Sequence, residues 1–399
     1  MLHLEGGVTA PKGFRAAGVR CGIKKQGLDL AIIFSEVPAV CAGLFTTNAV
    51  KAAPVLVSTE RARSGRAQAI VMNSGSANAC TGRRGLEDAR QMAALAADLL
   101  HIPPADVLVC STGVIGSFLP MDRIKRGIAD AVAALSTSGG ADAARAIMTT
   151  DTRPKVAACE IEIAGKPIRI GGIAKGAGMV CPNVATMLAF ITTDAAIDAS
   201  VLRSSLARAA EGSFNSLTID GDMSTNDSVI ALANGLAGNR LIGGPGTDLG
   251  AFQSALDRVT MELAREMARD GEGATKLVEV VVRGAASYGD ARAAAMTVAN
   301  SPLVKTAIFG QDPNWGRVLA AAGRSGASLD QEKIDLYFGK VKIVENGAPL
   351  EVSANAARQP MLASEVIITL DLKLGEAEAR VFTCDLSYDY VRINAEYHT

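Results

Sequence analysis

The sequence contains three histidines that could act as a general base. None of them has a catalytic partner residue at a recognisable spacing. His3 stands near the start of the chain, His101 precedes a Pro-Pro pair and His398 is one residue from the end. A Ser-His-Asp or Cys-His arrangement would have to use one of them. Since histidine is common at the ends of surface elements, we interpret all three as surface residues. The chemistry must then come from a nucleophile that works without histidine.

The cysteines argue against both a metal centre and a disulfide framework. Seven is an odd number, and no Cys-x-x-Cys pair occurs. We therefore predict no metal and expect most of the thiols to be small buried hydrophobic residues. The cysteines are Cys21, Cys41, Cys80, Cys110, Cys159, Cys181 and Cys384.

The glycine-rich segments do not match a nucleotide-binding motif. In "GGIAKGAG", Lys175 precedes its glycine, whereas the P-loop pattern needs Gly-Lys-Ser/Thr opening a helix. "GPGTDLG" follows no convincing strand, as a dinucleotide fingerprint would. The acidic "DGDMSTND", with Asp220, Asp222 and Asp227, lacks the glycine and terminal glutamate of a calcium loop, so a structural turn is favoured. We predict no cofactor.

Thr186 is the remaining candidate nucleophile, in "KGAGMVCPNVATMLAFITTDA". Threonine can be activated by its own free α-amine, whose ordinary pKa of about 7.7–8.0 suits proton exchange near neutrality. Thr186 would then have to become an amino terminus, by cleavage of the chain after the small Ala185. The competing interpretation is a β-branched residue that simply begins a buried strand. The local sequence permits cleavage, but spacing alone favours the residue that begins a strand.

The surrounding pattern predicts an α/β protein, an α+β layered sandwich in which helices pack on sheet. Apolar residues recur three and four apart over 92–99, 124–135 and 252–267. Strand-forming runs lie between them, as in "AQAIVMN", "KLVEVVV", "EVIITLDL" and "ARVFTC". Residues 136–143 and 239–250 are predicted to be exposed loops. Neither is long enough for a flexible linker, so the domains should pack against each other.

Composition excludes several partners. The chain has 399 residues, of which 49% are hydrophobic and 20% charged, and 40 Lys and Arg nearly cancel 41 Asp and Glu. No basic field exists to attract nucleic acid or an anionic membrane. No run approaches the ~18 apolar residues of a membrane span, and the first residues do not resemble a secretory signal. A cytoplasmic protein is expected.

Several long segments resemble one known family. The segment around Thr186 is similar to the self-cleavage segment of the ornithine acetyltransferase (glutamate N-acetyltransferase) family of arginine biosynthesis. The resemblance extends over essentially the whole chain. It includes "STGVIG", "MTTDTRPK", "FNSLTIDGDMSTNDS", "DGEGATKL", "VANSPLVKTAIFGQDPNWGR" and "CDLSYDYVRINAEYHT".

The resemblance implies a role for each matching residue. The precursor would cut itself between Ala185 and Thr186, leaving an α chain of residues 1–185 and a β chain of residues 186–399. Thr186 would carry the acetyl group, and Thr112 and Gly113 would form the oxyanion hole. The substrate-binding positions would be Thr152, Lys175, Thr186, Glu272, Asn394 and Thr399. The sequence departs from the family pattern at Cys181, where histidine is common, and at Ala177, often serine, which leaves the cleavage rate open.

The implied reaction moves acetyl from N-acetylornithine to glutamate through acetyl-Thr186, in a ping-pong sequence. Acetyl-CoA is an open second donor, which would make the enzyme bifunctional. The implied fold is α/β with two domains and the active-site cleft between them, and the implied assembly is an α2β2 heterotetramer. Two alternatives stay open on sequence alone: an amidase or aminopeptidase with the same nucleophile, and a non-catalytic protein that binds small molecules. Without the resemblance, the residues themselves favour a solvated lysine at Lys175 and an exposed turn at Glu272.

Overall fold

A computed structural model describes residues 2–181 and 187–396. The predicted periodic segments lie mainly in helices, and on the longest one the apolar positions face inward: Phe252, Leu256, Val259, Leu263 and Met267 are all buried. The other two match less fully, since Leu99 is exposed and Leu135 follows the end of its helix. The described residues form helices α1 Ala53–Ala62, α2 Gly82–Leu100, α3 Met121–Ala133, α4 Gly140–Ala146, α5 Ala199–Gly212, α6 Thr247–Arg269, α7 Tyr288–Ala299, α8 Pro302–Phe309, α9 Trp315–Gly323, α10 Ala354–Arg358 and α11 Tyr388–Glu396.

The four strand-forming runs are also confirmed, as β4, β10, β14 and β15. The described strands are β1 Leu2–His3, β2 Phe14–Val19, β3 Leu30–Phe45, β4 Arg66–Ser76, β5 Val107–Val114, β6 Lys155–Ile163, β7 Lys166–Lys175, β8 Leu188–Thr193, β9 Ser228–Ala233, β10 Leu277–Ala285, β11 Asp335–Phe338, β12 Val341–Glu345, β13 Ala348–Pro349, β14 Glu365–Asp371 and β15 Ala377–Cys384.

The described strands build two sheets. The larger has the order β1-β6-β7-β8-β9-β3-β4-β5, with β2 also paired to β3, and the smaller has the order β13-β12-β11-β14-β10-β15. The long strand β3 joins two halves of the larger sheet: residues 30–34 pair with β4, residues 40–45 pair with β9, and the register shifts between. Such an irregularity bends a strand, so β3 can serve both halves.

The halves of the larger sheet face each other across a shared core. On β3, β4 and β5, Ile33, Ile70 and Leu108 pack in one cluster with Phe190 and Ile230 from β8 and β9. The alternate residues of β3 to β5 pack with α1, α2 and α3, while β6 to β9 pack with α5 and α6 on their outer side. This period-2 division of apolar side chains produces the predicted layered α/β architecture.

The smaller sheet has its own core with α7 to α9. Its strands begin after α6 and end before α11, so the chain crosses between the two sheets at residues 270–276 and again at 385–387. These crossings bring Glu272 and Asn394 towards the larger sheet. The sheets do not divide at residue 185, because β7 and β8 pair antiparallel within one sheet. The division into chains 1–185 and 186–399 stays a prediction about processing.

One local prediction was wrong. Residues 136–143 are not an exposed loop, since α4 begins at Gly140 and Gly139, Gly140 and Ala143 are buried. The glycines there allow close contact with the backbones of Ala16 and Gly6, which a side chain would block. Near the chain end, residues 388–396 form helix α11.

Candidate active site

A cleft opens where the ends of β5 and β7 meet the two crossings to the smaller sheet. It encloses about 630 Å³, including its open mouth. It brings together five residues that the sequence analysis singled out, from segments far apart in the chain. The lining residues are Ala77, Thr112, Gly113, Ile115, Thr149, Thr150, Lys175, Gly178, Met179, Ser224, Thr225, Asn226, Glu272 and Asn394.

Thr112 and Gly113 lie at the end of β5, which runs parallel to β4. Gly113 has φ of 126°, and a Cβ built there would lie 2.5 Å from the Gly75 carbonyl carbon, so only glycine fits. The Thr112 hydroxyl is nearly buried and accepts a hydrogen bond from Lys175 Nζ at 3.3 Å. Because the ammonium is the donor in this contact, the Thr112 O–H is left to donate to a ligand.

Lys175 ends β7 and is buried, with 3% of its surface exposed. Its ammonium donates to Thr149 Oγ1 at 2.7 Å, in addition to Thr112. Burial lowers the pKa of Lys175, while the charge of Asp151, 3.9 Å away, acts in the opposite direction. The Lys175 ammonium therefore donates its hydrogen bonds to hydroxyl groups of the cleft and not to a carboxylate. The interpretation of Lys175 as a solvated loop lysine was wrong.

Asp151 stands directly behind Lys175 and is also buried. Its carboxylate accepts from the backbone N–H of Gly176 at 2.8 Å and of Thr149 at 3.0 Å, and from the Lys155 ammonium. Burial alone would raise the pKa of Asp151, but the charges of Lys175 and Lys155 and these hydrogen bonds lower it to about 2. Asp151 is thus a fixed anion at neutral pH.

Glu272 and Asn394 form the wall facing Lys175. Glu272 is buried, its backbone N–H donates to the Ala177 carbonyl at 2.7 Å, and its carboxylate accepts from Asn394 Nδ2 at 2.8 Å. A Cβ at Gly178 would overlap that carboxylate, so glycine is needed for the close approach. The interpretation of Glu272 as an exposed turn was wrong, because the 270–276 crossing folds back onto the loop after β7.

Thr152 does not line the cleft. Its backbone N–H donates to Asp270 Oδ2 at 3.0 Å, and its hydroxyl donates to the other oxygen of the same carboxylate. Thr149 and Thr150, in the same "MTTDT" segment, are the threonines that line the cleft. Substrate binding by Thr152 stays a prediction, and the hydroxyl would have to leave Asp270 to reach a ligand.

The segment 220–227 was interpreted as a structural turn, and Asp220 and Asp227 have that role. Asp220 accepts from the backbone N–H groups of Met179 and Val180, at 2.5 and 2.9 Å, and Asp227 accepts from Met187 N–H at 2.9 Å. Burial raises the pKa of both carboxyls, that of Asp227 well above its ordinary value. Sequence reasoning missed that the next residues along this segment line the cleft.

The cleft residues missed in this segment are Ser224, Thr225 and Asn226. Asn226 is buried, and its side-chain amide donates to the carbonyls of Ala77 and Ser111 at 2.7 and 2.8 Å. It thereby fixes the backbone that leads into Thr112. The only signal in the sequence was the position of "STND" inside one of the segments that carried the family resemblance.

The predicted cleavage site and the chain end lie outside the described residues. These are Ala185 and Thr186, and Thr399 at the carboxyl terminus. The two departures from the family pattern are described: Ala177 is buried, and Cys181 is half-buried. Burial and the charge of Asp220 raise the pKa of Cys181. Its thiol therefore stays protonated near neutral pH and cannot serve as the base that a histidine would supply.

The arrangement suits a reaction that develops negative charge on a carbonyl oxygen. Within one cleft, the Thr112 hydroxyl and the Gly113 backbone lie opposite a cation and an anion. The cation is Lys175 and the anion is Glu272. Within 2–181 and 187–396, no group of three or more His, Cys, Asp and Glu residues could hold a metal ion. Over the same residues, no helix is long and apolar enough to cross a membrane.

Comparisons with known proteins identify the family of the chain. A family model described as the ArgJ family matches residues 15–399. The chain is 55% identical over 402 residues to arginine biosynthesis bifunctional protein ArgJ of Symbiobacterium thermophilum, and 50% identical over 403 residues to the protein of the same name from Caldanaerobacter subterraneus subsp. tengcongensis; each alignment covers 100% of both chains.

A solved structure gives a similar result. The crystal structure of arginine biosynthesis bifunctional protein ArgJ from Bacillus halodurans is 44% identical, with a TM-score of 0.51. The match covers 98% of that solved chain but 52% of this one. The solved chain is therefore about half as long as the protein described above.

Proposed function

The chain belongs to the ArgJ family, and we propose that it transfers the acetyl group of N2-acetylornithine to glutamate, giving ornithine and N-acetylglutamate. The observation that carries this proposal is the single cleft that holds Thr112, Gly113, Lys175 and Glu272. Both substrates are α-amino acids with a carboxylate. A buried cation and a buried anion on facing walls suit such groups, and oxyanion donors beside them suit acyl transfer.

The nucleophile in this proposal is Thr186, activated by its own α-amine. Its hydroxyl attacks the acetyl carbonyl of N2-acetylornithine, and the amine takes the hydroxyl proton and passes it to the departing ornithine nitrogen. The amine of glutamate then attacks the acetyl ester on Thr186, and the bond between the acetyl carbon and the Thr186 oxygen breaks. The α-amine takes a proton from the attacking nitrogen and gives it to that oxygen, which restores the free hydroxyl. In both steps the oxyanion would be held by Thr112 and Gly113. Substrate carboxylate and ammonium groups would be anchored by Lys175, Glu272 and Asn394, with Thr152 and Thr399 as further predicted contacts.

Self-cleavage between Ala185 and Thr186 would free that amine. Two observations support it. The described residues that flank the segment lie at the cleft: Met179 lines it, and Met187 is hydrogen-bonded to Asp227, next to Asn226 of the lining. The half-length solved chain of the Bacillus halodurans relative is the length that a cut near the middle of a precursor would leave.

Acetyl-CoA is proposed as a second acetyl donor for glutamate. The curated relatives from Symbiobacterium and Caldanaerobacter carry the name bifunctional protein, which supports two activities at one site. A common acetyl-Thr186 would serve both donors, because the second half of the reaction is the same. The reaction needs no organic cofactor.

We further propose that two α and two β chains assemble into a heterotetramer in the cytoplasm. Helix α11 has no buried residue in the single chain, and Tyr388 and Val391 are 84% and 64% exposed. Leu303 on α8 is also exposed, at 60%. Large exposed apolar side chains favour a subunit contact.

The first test is an intact mass spectrum of the wild-type protein beside Thr186→Ala and Thr186→Ser. We expect two fragments that divide after Ala185 in the wild type, one full-length chain in the alanine variant and cleavage in the serine variant, which keeps a hydroxyl. Because β7 and β8 pair across the cut, the fragments should co-elute under native conditions. An uncut wild-type chain that still transfers acetyl would refute the free-amine mechanism.

The second test separates transfer from hydrolysis. Release of ornithine from N2-acetylornithine is measured with and without glutamate, and the fate of the acetyl group is followed with an isotopic label. Transfer predicts that release depends on glutamate and that the label appears in N-acetylglutamate. A label that appears in acetate at the same rate without glutamate would instead identify an amidase. No covalent label on Thr186 and no release would indicate a binding protein.

A further inference from the structure

We propose that Lys155 is a positioning residue, which holds the Lys175 ammonium on the hydroxyl groups of the cleft by neutralising the carboxylates behind it. Lys155 does not touch the cleft and acts only through its neighbours. The inference rests on the acetyl transfer proposed above, because it assigns Lys155 to the working geometry of that site.

Lys155 bridges two buried carboxylates. Its ammonium forms ion pairs with both Asp151 and Asp270, and its side chain is 0% exposed, as is that of Asp151, with Asp270 at 4%. Lys155 starts β6, opposite Ala174, the residue before Lys175 on β7. The two lysines thus enter one buried charge cluster from adjacent strands.

The cluster is balanced, with two ammonium groups and two carboxylates. Asp270 receives hydrogen bonds from Lys155 and from Thr152, and Asp151 receives them from Lys155 and two backbone N–H groups. Lys175 stays 3.9 Å from Asp151 and 2.7 Å from Thr149. With Lys155 present, Asp151 has a close counter-ion already and does not need Lys175.

Without Lys155, the nearest available cation for Asp151 is Lys175. A buried carboxylate without a partner is costly, so the ammonium would move from Thr149 and Thr112 to Asp151. That shift of about an ångström would remove the hydrogen bond to the predicted oxyanion hydroxyl. A displacement of this size at a reacting centre typically costs up to about 10²-fold in rate.

Asp270 extends the cluster to the other wall of the cleft. It follows the last residue of α6, two positions before Glu272. Lys155 therefore joins the segment that carries Lys175 to the segment that carries Glu272. The two segments would belong to different chains after the proposed cleavage, so the same ion pairs would also keep the cleft walls in register.

The test uses a charge-balanced double variant, Lys155→Met with Asp270→Asn, because Lys155→Met alone leaves two buried carboxylates and is expected to fold poorly. A matched control removes one lysine and one aspartate from a remote cluster on the smaller sheet, Lys373→Met with Asp335→Asn. We expect the cleft variant to lose about 10- to 100-fold in kcat/KM, with a fall in kcat as well as a rise in KM. The control should retain wild-type kcat.

The titration of Lys175 provides a readout that does not depend on activity. It is followed by the pH dependence of its acetylation with acetic anhydride, read by peptide mass spectrometry. The charges that face Lys175 are Asp151, Lys155, Asp227 and Glu272, with Lys24 nearby. Losing the Lys155 charge and gaining a close Asp151 both favour the ammonium, so Lys175 should titrate at higher pH in the cleft variant.

The outcomes separate the two proposals. A folded cleft variant with wild-type kcat, or with unchanged Lys175 titration, overturns the positioning role. If the wild-type protein transfers no acetyl group, the proposed function fails, and the Lys175 titration still decides whether Lys155 controls that ammonium. Loss of acetyl transfer in the cleft variant, together with a rise in the pH at which Lys175 titrates, supports both proposals.

Discussion

Thr112 is the residue for which local chemistry and position matter most. Its hydroxyl accepts from Lys175 and can donate in turn, so a developing oxyanion would be linked through one hydroxyl to a buried cation. Hydrogen bonds in such a chain polarise one another in a low-dielectric site. The backbone at Gly113 adds a second contact at the end of the same strand.

Thr112→Val keeps the side-chain volume and removes the donor. We expect kcat for acetyl transfer to fall by about 10²–10³, the usual effect of losing one oxyanion donor, with little change in stability. Thr149→Val is the matched control, since Thr149 also accepts from Lys175 but is not a predicted oxyanion donor. Steady-state kinetics with both substrates measures the difference. Equal losses in the two variants would contradict the oxyanion role.

Gly113→Ala tests the backbone requirement. An alanine at position 113 would combine a left-handed φ of 126° with a contact to the Gly75 backbone. It should therefore lower the free energy of unfolding more than an alanine that meets only a left-handed backbone. Gly116→Ala is the control, because Gly116 has φ of 82° but open space around its Cβ position. The free energy of unfolding, measured with urea, should be about 1–3 kcal/mol lower for Gly113→Ala than for Gly116→Ala. Similar stabilities would mean that the Gly75 contact relaxes easily.

At the scale of elements, the cleft is built from ends: the ends of β5 and β7, the crossing after α6 and the last helix. Strands β5 and β7 are rigid and largely buried, so they fix the backbone positions of Thr112 and Lys175. Helix α11 differs, because none of its residues is buried. It is held by specific polar contacts, Asn394 to Glu272 and Tyr390 to Asp220 at 3.4 Å, and by Tyr388 against Phe309.

Removal of residues 388–399 should therefore leave the fold intact and damage the site. We expect the thermal midpoint to change by only a few degrees, because none of residues 388–396 is buried, while KM for both substrates rises by about tenfold or more. Asn394→Ala alone should reproduce part of the rise in KM. Calorimetry and kinetics on the same preparations check both parts. A truncated protein with normal KM would show that α11 is dispensable for binding.

At the scale of the whole molecule, the buried charge cluster ties global stability to pH. The folded-state pKa of Asp151 is about 2, below its ordinary 3.8. Its charged form therefore stabilises the fold above pH 3.8, and this contribution is lost as the pH falls through about 2. The difference between these two pKa values corresponds to about 2 kcal/mol of stability.

Asp151→Asn should accordingly be less stable than the wild type near neutrality. The gap between their free energies of unfolding should narrow by about 2 kcal/mol as the pH falls from about 5 towards about 2. Asp130→Asn, at an exposed position on α3, should show no such narrowing. Urea unfolding at a series of pH values measures both gaps. A constant gap for Asp151→Asn would mean that the lost hydrogen bonds, not the charge, account for its effect.

The sequence by itself determined the elements and the kind of chemistry. Period-2 and period-3.6 apolar patterns depend on near neighbours, so β4, β10, β14, β15 and the amphipathic helices could be predicted. The scarcity of histidine pointed to a threonine nucleophile. The resemblance of long segments to one family, later supported by the family match, supplied the candidate residues Thr112, Gly113, Lys175, Glu272 and Asn394, which share one cleft.

Only the tertiary structure decided which charges are buried together. Lys155 and Asp270 are 115 positions apart, and no local pattern distinguishes a lysine that is wholly buried from one in water. Whether Gly139 and Gly140 form a loop or a close contact likewise depended on what packs against them. Burial and counter-ion choice arise from chain segments that meet only after folding, and electrostatic energies depend on that burial more than on residue type.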